Sequence, residues 1–278
     1  MLVRAMADQK TVLTTGANSG IGLATVIELA RRGHRSVGTV RSRAKARVVH
    51  DAARDAGVDV ETVLLDVTDA ANCERVVAQV APDALVNNAG FSSTGAIEDV
   101  GDREAHLAME TMVFAPMRLS RLAIPGMRER GWGRVVNISS VYGITTTPLT
   151  GWYQASKHAL EALSDALRVE VASSGISVVL VEPGGFRTGI WDEAEREIER
   201  HAGSRYESAY RRTMQGVRLT QPIMGSPETV ARVIAGAVGS RRPRSRYLVG
   251  YDAQVVRLYD RVVPTGVRDR LTRIALGL

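Results

Sequence analysis

Six short apolar runs, each closed by polar or glycine residues and each followed by a stretch of helical period, constrain this chain more than any other feature. The runs are 10–15, 35–40, 60–65, 84–88, 133–139 and 177–182, with 246–250 as a candidate seventh. Between them lie 21–33, 44–56, 70–80, 102–130 and 153–175, where apolar residues recur at helical spacing. Continuous β-branched runs suit strands buried on both faces, and their alternation with helices predicts a parallel sheet covered on both sides. Right-handed crossovers then give an α/β fold, a Rossmann-type doubly wound sheet. Such sheets bind ligands at the carboxyl ends of their strands. Those ends here carry Gly16, Arg41, Asp66, Asn88 to Gly90, Ser139 with Ser140, and Pro183 to Thr188.

At 278 residues the expectation is a single domain. No apolar run approaches the ~20 residues of a membrane-spanning helix, and the N-terminus reads as too polar for a signal peptide. One cysteine, Cys73, excludes an internal disulfide framework and a cysteine-based zinc site, and suits a reducing, cytoplasmic setting. The net charge of +6 raises the question of nucleic acid. The arginines, however, are dispersed, and the densest basic run, 240–246 (SRRPRSR), reads as a solvated loop. No nucleic-acid partner is expected.

The first strand-to-helix turn is TGANSGIG, Thr15 to Gly22. Its glycines permit a tight turn and close approach of a pyrophosphate to the helix N-terminus, so Thr15, Gly16, Asn18, Ser19, Gly20, Ile21 and Gly22 are cofactor candidates. No G-K-[ST] follows, which argues against a phosphate-loop NTPase. After the second strand stands Arg41, and no acid occurs between Gly33 and His50. An acid there would hold a ribose 2′-hydroxyl, whereas an arginine accommodates a 2′-phosphate, so NADP(H) is expected over NAD(H). Tyr153 and Lys157 are four residues apart on one helix face, and an ammonium near a phenol should lower its pKa. Ser140, thirteen residues before the tyrosine, could orient a carbonyl.

With these pieces placed, the chain resembles the short-chain dehydrogenase/reductase family in its single-domain form, most closely the hydroxysteroid and retinol dehydrogenase-like members. The resemblance rests on Thr15–Gly22, the pair Asp66-Val67, NNAG at 87–90, NISS at 137–140, YQASK at 153–157 and PGGFRT at 183–188. It implies that Asp66 and Val67 meet the adenine end, and that Asn88, Ala89 and Gly90 support the cofactor strand. It further implies that Pro183, Gly184 and Thr188 lie at the nicotinamide. The serine spacing of the family selects Ser140 over Ser139, which should face the other way. Ser140, Tyr153 and Lys157 become an acid/base set for interconverting a ketone or aldehyde and an alcohol, with no metal. A small-molecule carbonyl or alcohol substrate, bulky and apolar (steroid, retinoid, keto-lipid or polyketide), and a homodimer or homotetramer are implied. The family asparagine in the long helix would fall at position 112, where Met112 stands, and a thioether cannot hold the relay water. Residues 189–225 match the family's substrate-covering segment. The tail, 255–278, has apolar residues at helical spacing with basic residues between; packing on the domain is the favoured reading, over oligomer or lipid contact.

Overall fold

The structure, a computed structural model, describes residues 9–278. The stretch MLVRAMAD, on which the signal-peptide reading rests, lies outside the described residues. Strands β1 (Thr11–Thr14), β2 (Arg35–Val40), β3 (Glu61–Leu64), β4 (Ala84–Asn87), β5 (Gly133–Ile138), β6 (Ile176–Pro183) and β7 (Arg246–Val249) form one sheet in the order β3-β2-β1-β4-β5-β6-β7. Every pairing is parallel. The order reverses between β1 and β4, which opens a crevice at their carboxyl ends. This is the doubly wound sheet that the alternation predicts.

Helices α1 (Gly20–Arg31), α2 (Arg43–Asp55) and α3 (Ala70–Val80) follow the first three strands. Neighbouring strand residues serve opposite faces. Leu13, Leu85, Val135 and Val178 pack with Val76 of α3, whereas Val12, Val86, Val136 and Val179 pack with Leu29 of α1 on the other side. Both faces are covered over β1, β2, β4, β5 and β6, which is why those strands lack polar alternation, whereas the edge strand β3 stays partly exposed.

The predicted helix 102–130 is interrupted. It is α4 (Asp102–Met109), a π-helical turn (Glu110–Phe114) and α5 (Ala115–Glu129). Pro116 sits at the start of α5 and has no N–H to close a regular turn onto the residue four before it, so the preceding turn widens. Met112 lies inside that wide turn.

After β5 comes α6 (Gly151–Glu170), which carries Tyr153 and Lys157. After β6 come α7 (Ile190–Arg200) and α8 (Glu207–Thr220), then α9 (Pro227–Gly239), which covers the sheet with Val230 and Ile234. The chain continues through β7 into α10 (Tyr251–Val262) and α11 (Thr265–Leu276). The expected packing of the tail is only partly met: Ala253 is buried, but the apolar residues at helical spacing on both helices are mostly exposed.

Candidate active site

The glycine turn is fastened to β4 from below. Thr15 Oγ1 accepts hydrogen bonds from the backbone N–H of Asn88 and of Ala89, both at 2.9 Å. Asn88 Nδ2 donates to the carbonyls of Thr15 (2.9 Å) and Gly16 (3.2 Å). Thr15 and Asn88 thus hold the turn in shape. Gly16 and Gly20 take left-handed φ values of 66° and 51°. A Cβ on Gly22 would stand 2.2 Å from the Gly16 carbonyl oxygen, so that helix and turn can meet only at glycine. Ser19 caps α1 without a side-chain hydrogen bond, which leaves the first-turn N–H groups for an anionic ligand. A cleft of about 450 Å³ runs along the flank of α1, lined by Leu23, Ile27, Thr188 and Glu228 among others, and reaches the turn at Gly20. A cradle this close, at a free helix N-terminus, fits a dinucleotide.

Arg41 is exposed just past the end of β2. Asp66, at the end of β3, accepts from the N–H (3.0 Å) and hydroxyl (2.8 Å) of Thr68. Those bonds hold its carboxyl below the ordinary range against the effect of burial, with help from the Arg41 charge. The side chains of Arg41 and Asp66 therefore share one side of the crevice. Val67 is buried, and its carbonyl accepts from Arg118 at 3.1 Å.

At the ends of β5 and β6 the acid/base candidates converge. Ser140 Oγ accepts from the N–H of Tyr142 at 3.1 Å, so its own proton is left to donate elsewhere. Lys157 is buried and Nζ donates to the Ile138 carbonyl at 2.9 Å, 5.5 Å from the centre of the Tyr153 ring. Burial pushes the Tyr153 phenol up to about 12, opposed by the Ser140 hydroxyl. Burial also pushes Lys157 down to about 8, opposed by Glu161. The expected lowering of the phenol by the lysine is thus not what the side chains produce by themselves. Desolvation outweighs it, because the ammonium is directed at a backbone carbonyl.

Met112 is 1% exposed, its sulfur 3.7 Å from Ser156 Oγ and 3.6 Å from the position of a Cβ on Gly90. It fills the space between α6 and the end of β4 with apolar volume.

Several polar groups beneath the site brace it without belonging to the acid/base set. Asn87 Nδ2 donates to Asn137 Oδ1 at 2.8 Å, and Asn137 Nδ2 donates to Ser164 Oγ at 2.8 Å, a buried chain tying β4, β5 and α6 together. Arg246, read from sequence as the end of a solvated basic loop, instead turns inward. Its guanidinium pairs with Glu161, with Glu182 (3.0 Å) and with Asp165. Two buried acids at the end of the sheet require a cation, and β7 delivers one. Ser139 faces Glu161 and the Gly143 turn, away from Ser140.

The covering segment is pinned over the crevice. Glu197 of α7 accepts from the N–H of Thr94 at 2.8 Å. Tyr210 of α8 accepts from the N–H of Ala96 at 2.6 Å and donates to Asp99 at 2.7 Å. Trp191 Nε1 donates to the Phe186 carbonyl at 2.8 Å. Tyr210 and Phe186 are buried anchors of the cover. Past Pro183, Gly184 and Gly185 lie against Asp252 of α10, and Thr188 packs 3.2 Å from the position of a Cβ on Gly20.

A model of the short chain dehydrogenase family matches residues 10–199. The chain is 32% identical to a 3-ketodihydrosphingosine reductase of Bacteroides thetaiotaomicron, over 88% of this chain and 89% of that protein. It is 30% identical to an NADPH-dependent 3-dehydrocapnine reductase of Ornithobacterium rhinotracheale, over 93% and 94%. Among solved structures, a short-chain dehydrogenase from Streptomyces avermitilis is 35% identical with a TM-score of 0.77, over 95% of each chain. An actinorhodin polyketide ketoreductase with NADPH is 30% identical with a TM-score of 0.76, over 87% of this chain and 95% of that one.

Proposed function

This chain belongs to the short-chain dehydrogenase/reductase family and is an oxidoreductase, and from that premise we propose that it is an NADP(H)-dependent reductase of a keto group on a bulky apolar substrate. The observation that carries the reading is the convergence of Ser140, Tyr153 and Lys157 past the end of β5, where the Ser140 hydroxyl meets the Tyr153 phenol and Lys157 Nζ lies 5.5 Å from its ring. The 2′-phosphate preference is supported by Arg41 at the end of β2, with no acid in the sequence between Gly33 and His50. It is also supported by a relative that is NADPH-dependent. Keto substrates built on long chains are supported by relatives that reduce 3-ketodihydrosphingosine and 3-dehydrocapnine.

The cofactor, when bound, supplies the hydride to the carbonyl carbon. The remaining work is done by side chains. Ser140, whose hydroxyl meets the Tyr153 phenol, turns its proton to the substrate oxygen and fixes its position. A phenol at about 12 stays protonated at neutral pH, so Tyr153 stands ready to give its proton to that oxygen as negative charge develops. Lys157 spends one donor on Ile138 and keeps the others for the site, where its charge favours the phenolate left behind. Glu197 and Tyr210 hold the cover down and limit water.

The test is a panel of apolar ketones with NADPH and with NADH, alongside Tyr153→Phe. Turnover with NADPH, lost in Tyr153→Phe while NADPH still binds, is the expected result. Arg41→Asp should weaken NADPH by about 10- to 100-fold, the worth of one charged hydrogen bond, and leave NADH little changed. A second reading, a cofactor-binding regulator without turnover, is favoured by Met112 where a relay polar group would stand. NADPH binding with no ketone reduced, and no effect of Tyr153→Phe, would establish it instead.

A further inference from the structure

We propose that α10 and α11 form a docking surface for anionic lipid, which lays the mouth of the site against a membrane. Tyr251, Val255, Leu258 and Val262 recur at spacings of three and four along α10, which gives it one apolar face. Val267, Leu271 and Ile274 do the same along α11. Both faces point outward: Tyr251 is 83% exposed, Leu258 64% and Ile274 68%. No helix of the described residues is long and apolar enough to cross a bilayer, so a lipid contact would have to lie along the surface.

The other side of α10 fixes its place. Ala253 is buried, Asp252 accepts from the N–H of Gly185, and Asp260 accepts from the Thr145 hydroxyl at 3.0 Å while pairing with Arg268. Gly185 follows β6 and Thr145 follows β5, so α10 runs across the loops that wall the site. Tyr142, whose ring meets that of Tyr153 edge-on at 6.3 Å, is close enough to feel the Asp252 charge.

Charge selects the occupant. Arg257, Arg261, Arg270 and Arg273 are exposed, and no ion pair engages them among the described residues. The acids Asp252 and Asp260 are already committed, which leaves Asp269 as the unengaged acid of the two helices. A two-fold contact between copies through this face would gather four arginines from each copy at one seam, with Asp269 of each to face them. An anionic headgroup layer accepts both components, with the apolar stripe sunk into the interface and the arginines in the phosphate zone. Delivery of an apolar substrate from the bilayer to the site follows if the reductase reading holds; the docking itself does not depend on it.

The experiment is co-sedimentation of the full chain with vesicles of phosphatidylcholine alone and of phosphatidylcholine mixed with phosphatidylglycerol. Binding to the mixed vesicles, weakened by salt, is expected. Combined Leu258→Ser, Val262→Ser, Leu271→Ser and Ile274→Ser should reduce it by at least about tenfold, as expected for lost apolar burial. Thermal midpoint and NADPH binding should be unchanged, because these side chains already face water. Arg257→Gln with Arg261→Gln and Arg270→Gln should weaken binding several-fold and remove the salt dependence. Failure to bind the mixed vesicles overturns the proposal, as does undiminished binding by the serine variant. A dimer of the wild type that the serine variant dissociates, with no vesicle binding, assigns the face to a second copy instead. Ketone reduction is measured separately, so its failure counts against the function and not against the docking.

Discussion

At the residue scale, the group with the clearest unspent chemistry is Glu161. It lies one turn after Lys157 on α6, and its neighbours come from every element around it: Ser139 and Gly143 after β5, Glu182 on β6, Arg246 on β7 and Asp165 on its own helix. Burial raises its carboxyl from 4.5 to about 7, with the Glu182 charge adding to the rise and Ser139 and Arg246 opposing it. A carboxyl whose folded value is raised holds its proton more tightly in the native state, so it contributes stability below the unfolded value. That contribution is lost as pH rises through the folded value. Wild type should therefore lose stability between pH 4.5 and about 7. Glu161→Gln keeps the shape and removes the titration. Its thermal midpoint should be flatter across that window, read by calorimetry or circular dichroism. Parallel pH curves for the two proteins would show that Arg246 alone sets the charge of the cluster. None of this was legible in the sequence. Arg246 is 85 residues from Glu161 and 64 from Glu182, and its neighbours in the chain, an SRRPRS run, argued for solvent.

At the element scale, the helix after β4 departs from the single helical stretch that its period predicts. Pro116 lacks the N–H that a regular turn needs, and the π turn at Glu110–Phe114 stands directly before its helix, whereas Pro125 is accommodated inside α5. What the pattern of apolar residues could not give is the side chain that the widened turn pushes inward, since an extra residue in one turn rotates everything before it by about 100°. Met112 is that side chain, facing Ser156 and Gly90. Met112→Asn places a donor and acceptor in the same turn, within reach of Ser156. If proton delivery behind Lys157 limits turnover, the variant should raise kcat severalfold and leave KM for the ketone little changed. A cost of about 1–3 kcal/mol is expected from a buried amide whose partners are incomplete. An unchanged kcat in a folded variant would mean that the proton reaches the site by another way, and Glu161, one turn after Lys157, is the buried carboxyl to test next.

At the scale of the whole molecule, the sheet was legible because both its faces are buried, and buried parallel strands write themselves as unbroken apolar runs. The strand ends were legible too, since the polar residues that a crevice needs interrupt those runs abruptly. The two outer layers were not. An apolar stripe on a helix says that one face avoids water without saying what covers it. For α7 and α8 the cover is the crevice; for α10 and α11 nothing among the described residues covers most of it. The difference lies in a few polar fastenings. Tyr210 stands at the centre of them, accepting from Ala96 and donating to Asp99, which in turn accepts from Ser204 at 2.7 Å. Its aromatic body packs with Ala96 and Leu149, and Leu149 is itself held at a left-handed φ of 67° by its carbonyl bond from Gly95. Tyr210→Phe keeps the ring and removes the fastening, so that the Ala96 N–H is buried without a partner. A loss of about 1–3 kcal/mol is expected, and with it a thermal midpoint lower by several degrees. Because the fastening joins the cover to the loop beyond β4 and not to the glycine turn, KM for an apolar ketone should rise while NADPH affinity stays as it was. A parallel loss of NADPH affinity would mean that cover and cofactor cleft open as one piece, and a KM unchanged despite the lower midpoint would free the cover from any part in holding substrate.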